Sequence, residues 1–391
     1  MTRISERIYL DFNATAPLRP EAREAMLTAL SLCGNPSSVH AEGRAARAPI
    51  ERARHLVAEL VGADAKNVIF TSGGTEAANL ALTPHVETQA FGRGFDCLLI
   101  AAAEHACVLK GHRFPPDRVS ILPVRTDGVL DLVALDETLA CREGRRVVLA
   151  LQLANNETGV IQPVAEVARR VHARDGIVVC DAVQAAGKIP IELEALGADA
   201  LILSAHKFGG PKGAGALVLR SDRLHIKEPL VRGGGQEHGA RAGTENVAAI
   251  AGFGAACRAV ASVAEEAARL TALRGSVEGC IRKIAPDAVV FGENANRLPN
   301  TIAFAVPGLA AETLLIGLDL EGVAVSSGSA CSSGKVARSH VLDAMGVTRD
   351  QAAGAIRLSL GWSSTERDIA GFAEAFATVV SKMRARRNVA A

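Results

Sequence analysis

Apolar positions recur along this chain with two periods. From Ile50 to Leu60 and from Val164 to Arg174 they fall on one helical face with charged residues opposite, and a further helix is read from Glu76 onward. Between the helices lie short runs that are apolar almost without interruption: Asn67 to Phe70, Cys97 to Ala101, Val147 to Leu153, Ile177 to Cys180, Ala200 to Leu203 and Gly215 to Leu219. Strands covered on both faces read this way, and helical crossovers between them make the sheet mostly parallel. The predicted fold class is α/β. Beyond about residue 260 the texture changes to a long Ala/Glu/Arg-rich helix (Val260 to Cys280), short strands around Asn300 to Phe304 and Ala355 to Ser359, and a last helix from Glu366. That pattern predicts a second, smaller α+β unit, ending in a basic stretch, Lys382 to Arg387, read as a solvated tail.

Composition narrows the function classes. At 391 residues the chain exceeds what one core usually organises, so two domains are expected. Lys+Arg number 43 and Asp+Glu 42, a balance that provides no field for nucleic acid or an anionic membrane, and one Trp and one Tyr give little base-stacking surface. Residues Thr2 to Arg7 carry charge of both signs with no apolar stretch, and no apolar run reaches the length of a membrane span, so a cytoplasmic protein is expected. Eight cysteines without CxxC spacing read as reduced thiols, most of them small core residues.

In open parallel sheets the chemistry collects beyond the carboxyl ends of the strands, and those positions are polar here. Thr71-Ser72-Gly73-Gly74-Thr75-Glu76 is either an ordinary capped strand-to-helix turn or a phosphate cradle at a helix N-terminus. It lacks the GxxxxGK[ST] spacing, as does Gly209-Gly210-Pro211-Lys212-Gly213, which excludes a phosphate-loop nucleotide triphosphatase. Asp181, followed by Gln184, and Ser204-Ala205-His206-Lys207 end two strands. The Asp and Lys form either a structural ion pair or opposite ends of a cofactor site. Cofactor chemistry is favoured, because a lysine at a buried strand end is readily held as a free amine for a Schiff base and an Asp keeps a pyridine nitrogen protonated. His105 is a structural residue or a catalyst, and Asn155-Asn156-Glu157-Thr158-Gly159 a turn or a carboxylate-binding loop. Cys331 stands apart from the other cysteines, in a small polar stretch from Ser326 to Gly334 that has no core character, which marks an accessible, functional thiol. Cys107 is the rival nucleophile, although its apolar flanks favour burial.

These segments, in order along nearly the whole chain, resemble the cysteine desulfurases, the fold-type I, aminotransferase class V enzymes of nitrogen fixation and iron–sulfur assembly. The match runs from Tyr9-Leu10-Asp11-Phe12-Asn13-Ala14-Thr15 and Gly34-Asn35-Pro36-Ser37-Ser38, through Asp181-Ala182-Val183-Gln184 and Ser204-Ala205-His206-Lys207, to Ser327-Gly328-Ser329-Ala330-Cys331 and Ile356-Arg357-Leu358-Ser359-Leu360-Gly361. The resemblance implies a mostly parallel seven-stranded sheet in a large domain, 17–259, and a small α+β domain made of 1–16 and 260–391 and carrying the Cys331 loop. It implies pyridoxal 5'-phosphate held by Lys207 as a Schiff base, with Asp181 on the pyridine nitrogen, His105 stacked on the ring and aiding proton transfer, and Gln184 on the phenolic oxygen. Gly74, Thr75, Ser204 and His206 would hold the phosphate, with Thr244 reaching in from the second subunit of an obligatory homodimer. Asn156 and Arg357 would bind the carboxylate of L-cysteine, Arg357 as a bidentate fork.

Cys331, as thiolate, would take the sulfur as a persulfide, release alanine, and pass the sulfur to a scaffold or acceptor protein for iron–sulfur cluster assembly. It would be a transient ligand of a nascent cluster rather than part of a resident metal site. The sequence does not distinguish general cluster assembly, nitrogenase clusters or tRNA thiolation. One segment departs from the family pattern: His238 replaces the usual Arg and Ala240 a larger residue, while Arg241 and Thr244 match. A selenocysteine lyase or a class V aminotransferase is the rival enzyme, the latter having no need of Cys331. A catalytically inert scaffold for sulfur transfer is the rival of another class, and it has no reason to keep Lys207, Asp181 and His105 together.

Overall fold

A computed structural model describes residues 7–88, 94–222, 224–327 and 338–390. Each apolar run forms a strand, and together with one further run they make a seven-stranded sheet: β1 Val68–Thr71, β2 Cys97–Ala101, β3 Val119–Leu122, β4 Val147–Gln152, β5 Ile177–Asp181, β6 Ala200–Ser204 and β7 Gly215–Leu219. The spatial order is β1-β7-β6-β5-β4-β2-β3. Strands β6, β5, β4, β2 and β3 pair in parallel, and β7 is antiparallel to both of its neighbours. Every residue of β2, β4, β5, β6 and β7 is buried, which explains why they read as unbroken apolar runs.

Helices α1 Pro20–Leu30, α2 Ala41–Leu60, α3 Gly74–Ala81, α4 Val164–His172 and α5 Val247–Ala259 belong to this layer. One face of the sheet packs with Ile50, Ala53 and Val57 of α2, Val164, Val167 and Val171 of α4, and Phe253 of α5; the other packs with Ala77, Ala78 and Leu80 of α3. The spacing of three, four and seven on α2 and α4 is the amphipathic stripe seen in the sequence. Helix α2 nevertheless begins at Ala41, nine residues before Ile50, and runs through Pro49, whose ring removes only one backbone bond of the ladder. Strand β3 was not foreseen: it is the edge strand, and its Ile121 is half-exposed, so it lacks a clean apolar run. Helix α5 also escaped the pattern, because Ala and Gly pack around most of it and leave no polar face.

The second unit is a four-stranded antiparallel sheet, β8 Val289–Val290, β9 Thr301–Ala305, β10 Ser326–Ser327 and β11 Ala355–Ser359, in the order β8-β9-β11-β10. Helices α6 Val263–Ile284 and α7 Glu366–Ala390 cover it, with Phe304 and Phe376 edge to face at 5.7 Å. Lys382 to Arg387 continue α7 as helix rather than forming a tail. The chain start returns to this unit: Ile8–Tyr9 pairs in parallel with Val323–Ala324 and Leu10 enters the same core, which carries Asp11 to Thr15 across to the main sheet. Among the described residues no single helix is long and apolar enough to cross a membrane.

Candidate active site

The carboxyl ends of β1, β2, β4, β5 and β6 open on one cavity of about 540 Å³, closed on its other side by Asn13, Ala14 and Thr15 and by Arg357 of β11. Gly74, Thr75, His105, Asn156, Asp181, Gln184, Ser204, His206 and Lys207 all line it. Thr244 does not: it is exposed on this chain and lies apart from the lining. Cys331 lies outside the described residues.

Asp181, the last residue of β5, is 8% exposed. Its Oδ1 accepts the Val183 N–H at 2.9 Å. Burial raises its carboxyl to about 6, an effect that this hydrogen bond and the positive Lys207 only partly offset. The ε-amine of Lys207, just past β6, donates to the backbone carbonyls of Asn13 at 2.7 Å and Ala14 at 3.0 Å. His105 follows β2 and caps a short helix, its Nδ1 accepting the Cys107 N–H at 3.1 Å. Burial, with Lys207 and His340 adding, lowers its pKa to about 4, so the ring is neutral at physiological pH and carries its proton on Nε2. His206 is likewise held at about 4 by burial and by Lys207, Lys212 and Lys188, and its Nδ1 is 3.2 Å from Thr15 Oγ1.

The opposite end of the cavity is the N-terminus of α3. A Cβ on Gly74 would stand 2.9 Å from Val183 Cγ2 and 3.5 Å from Ser204 Cβ, so only glycine lets this turn close over the strand ends. Glu76, in the first turn, accepts the Ser72 N–H at 2.8 Å and pairs with Arg241 at 3.0 Å, which neutralises a carboxylate beside the free helix amides. His238 is exposed with a left-handed φ of +56°, outside the cavity lining. Its neighbour Glu237 is held by a bidentate, buried pair with Arg54 at 2.8 Å.

Arg357 is 3% exposed and committed on two sides: Nη2 pairs with Asp11 at 2.8 Å and Nη1 donates to the Asn156 carbonyl at 3.1 Å, while Nε is buried without a hydrogen-bond partner. Asp11 is itself held by Ser326, whose hydroxyl donates at 2.6 Å. A guanidinium already fixed against Asn156 is oriented for a planar carboxylate.

Sequence reasoning missed several members. Asn13 is the hub, donating to the Asn156 carbonyl and Thr301 Oγ1, and accepting from Lys188 and Asn300. Lys188 is a buried lysine four residues after Gln184, and a charged residue inside Ala185-Ala186-Gly187-Lys188-Ile189-Pro190-Ile191 was a signal available in the sequence. Glu104 is fully buried with its carboxyl pushed well up, first by burial and further by Asp181. Cys107 lines the cavity at intermediate exposure, and burial pushes its thiol up, so it stays protonated. The seven described cysteines are free thiols; Cys33 and Cys141 are exposed rather than core residues.

A buried carboxylate at one end, an amine in the middle and open helix N–H groups at the other end match the pyridine nitrogen, aldehyde and phosphate of pyridoxal phosphate in kind and order. The sequence model of the aminotransferase class-V family matches residues 8–372. A protein of Dictyoglomus turgidum named cysteine desulfurase IscS is 40% identical over 97% of this chain and 96% of its own. A cysteine desulfurase of Cereibacter sphaeroides is 42% identical over 97% of both. The solved structure of a NifS-like protein from Rickettsia africae superposes with a TM-score of 0.85 at 35% identity, covering 96% of this chain and all of that one.

Proposed function

The chain belongs to the cysteine desulfurases of the aminotransferase class-V family, and from that premise we propose that it uses pyridoxal 5'-phosphate to take sulfur from L-cysteine, leaving L-alanine and a persulfide on Cys331. The observation that carries the reading is the convergence of Asp181, Lys207 and the α3 N-terminus on one cavity. When bound, pyridoxal phosphate supplies an electron sink for negative charge at the substrate α-carbon.

The chain's own residues do the rest. Lys207, held over the cavity by two carbonyls, anchors the cofactor and moves a proton at the α-carbon. Asp181, costly as a lone buried carboxylate, is satisfied by a protonated pyridine nitrogen. Neutral His105 stacks on the cofactor ring without adding charge and aids proton transfer as an Nε2–H hydrogen-bond donor, since the Cys107 N–H occupies Nδ1. Gly74, Thr75, Ser204 and His206 hold the phosphate, joined by Thr244 of a second subunit, whose exposure on its own chain suits that reach. Asn156 and Arg357 take the substrate carboxylate.

The Cys331 thiolate forms a bond to the substrate sulfur as the carbon–sulfur bond breaks; the α-carbon side gains the protons that make alanine, and an acceptor thiol later removes the outer sulfur. The reading extends to a homodimer, to domains dividing at 16/17 and 259/260, and to delivery of sulfur to a scaffold or acceptor for iron–sulfur clusters. Seven free thiols support a reducing compartment such as the cytoplasm. The test is the absorbance spectrum of the purified protein: a visible band is expected, absent from Lys207→Ala. A colourless protein that added pyridoxal phosphate does not reconstitute would contradict it.

A further inference from the structure

Lys188 is 5% exposed and has no carboxylate within ion-pair distance among the described residues. Its Nζ donates to Gln184 Oε1 at 2.7 Å and to Asn13 Oδ1 at 3.0 Å. Burial pushes the amine well below its ordinary range, and Lys207 and Arg357 add to this. Even as a neutral amine it has two N–H groups, one for each of these oxygens.

The orientation of both carboxamides follows from their other contacts. Gln184 Nε2 faces the Asn13 backbone carbonyl at 3.0 Å, and Asn13 Nδ2 faces the Asn156 carbonyl at 3.2 Å. A carbonyl only accepts, so in each amide the nitrogen lies on that side and the oxygen turns to Lys188. Gln184 spends one of its two N–H groups on Asn13 and keeps one for the cavity it lines. Were the amide to turn over, an oxygen would replace that donor and would face the Asn13 carbonyl, which would lose one of the two donors it has in Gln184 and Lys207.

We propose that Lys188 is a positioning residue that holds the Gln184 oxygen away from the cavity, so that the phenolic oxygen of pyridoxal phosphate always meets an N–H donor. This rests on the cofactor reading above. A substituent at 188 without a donor leaves the Gln184 oxygen buried and unsatisfied, and the amide is then free to present either edge.

The readout is the pH midpoint at which the bound cofactor's visible band converts to its near-ultraviolet form. A donor on the phenolic oxygen favours the deprotonated form, in which that oxygen bears the full charge, so losing the donor raises the midpoint. Lys188→Met is expected to raise it by about one pH unit, as Gln184→Ala does, and to add nothing in the Gln184→Ala background. A midpoint unchanged in Lys188→Met, or a shift that adds in full to that of Gln184→Ala, overturns the proposal; full addition would mean that Lys188 acts as a charge and not through the amide. Where Lys188→Met does not fold, Lys188→Gln keeps a donor without a charge. It is then expected to hold the wild-type midpoint, and a shift additive with Gln184→Ala counts against the proposal. A wild-type protein that takes up no cofactor refutes the cofactor reading itself, whereas a normal band insensitive to Lys188 refutes only the positioning role.

Discussion

Asp181 makes the cofactor-free protein less stable than it need be. Its carboxyl titrates near 3.8 in an unfolded chain and at about 6 in the folded one. A carboxyl whose folded pKa is raised is penalised as the anion: the penalty is full above the folded value and vanishes below the unfolded one. Two pKa units correspond to about 3 kcal/mol at neutral pH, an order-of-magnitude figure. Asparagine at 181 has no such titration and keeps an oxygen for the Val183 N–H. Cofactor-free Asp181→Asn is therefore expected to gain stability relative to cofactor-free wild type as pH rises, by about 2 kcal/mol between about pH 4.5 and 7.5. The assay is urea unfolding of both proteins at equal concentration across that range, where the titrating groups that do not face Asp181 cancel in the difference; Glu104, raised by burial and in part by Asp181, moves it in the same direction. The amide's own burial contributes a constant offset, so the slope with pH is what matters. A pH-independent difference, or one that shrinks as pH rises, would refute the reasoning. The same substitution should abolish turnover, because an amide cannot hold the pyridine nitrogen protonated; the site keeps a strained carboxylate for its chemistry.

Arg357→Lys keeps a charge but loses the planar fork, and should raise the KM for L-cysteine about 10- to 100-fold in steady-state kinetics; an unchanged KM would remove Arg357 from the carboxylate site. Cys107→Ser should form alanine within about twofold of wild type, since burial keeps the native thiol protonated, and a loss as deep as that of Cys331→Ala would transfer the nucleophile role to it. Arg54→Met leaves Glu237 charged and buried, which should cost about 3–5 kcal/mol in urea unfolding, largely recovered in Arg54→Met with Glu237→Gln. A double variant no more stable than the single one would contradict that account.

What the sequence discloses and what it hides divide along physical lines. Strands β2, β4, β5, β6 and β7 are buried on both faces, so their composition alone announces them, and the polar residues at their ends mark the cavity. Lys207, Asp181 and His105 are legible for that reason. Strand β3 is hidden because an edge strand need not be apolar. The Asp11–Arg357 pair joins residues 346 apart and the Arg54–Glu237 pair residues 183 apart, contacts that no local period encodes. Asn13 and Lys188, 175 residues apart, meet only because the chain start is paired into the small unit and carried across to the sheet. The positive φ of His238 is likewise a tertiary product: Arg54 grips Glu237 from α2 and holds the turn in a region that non-glycine residues avoid.

The central claim is that sulfur leaves L-cysteine through Cys331, and the most direct measurement is the yield of alanine and enzyme persulfide in a single turnover without acceptor. Wild type should give equal amounts of alanine and protein-bound persulfide, and Cys331→Ala should keep the visible cofactor band and give neither. Alanine formed by Cys331→Ala at the wild-type rate, or a coloured wild-type protein inert toward L-cysteine, would contradict the account.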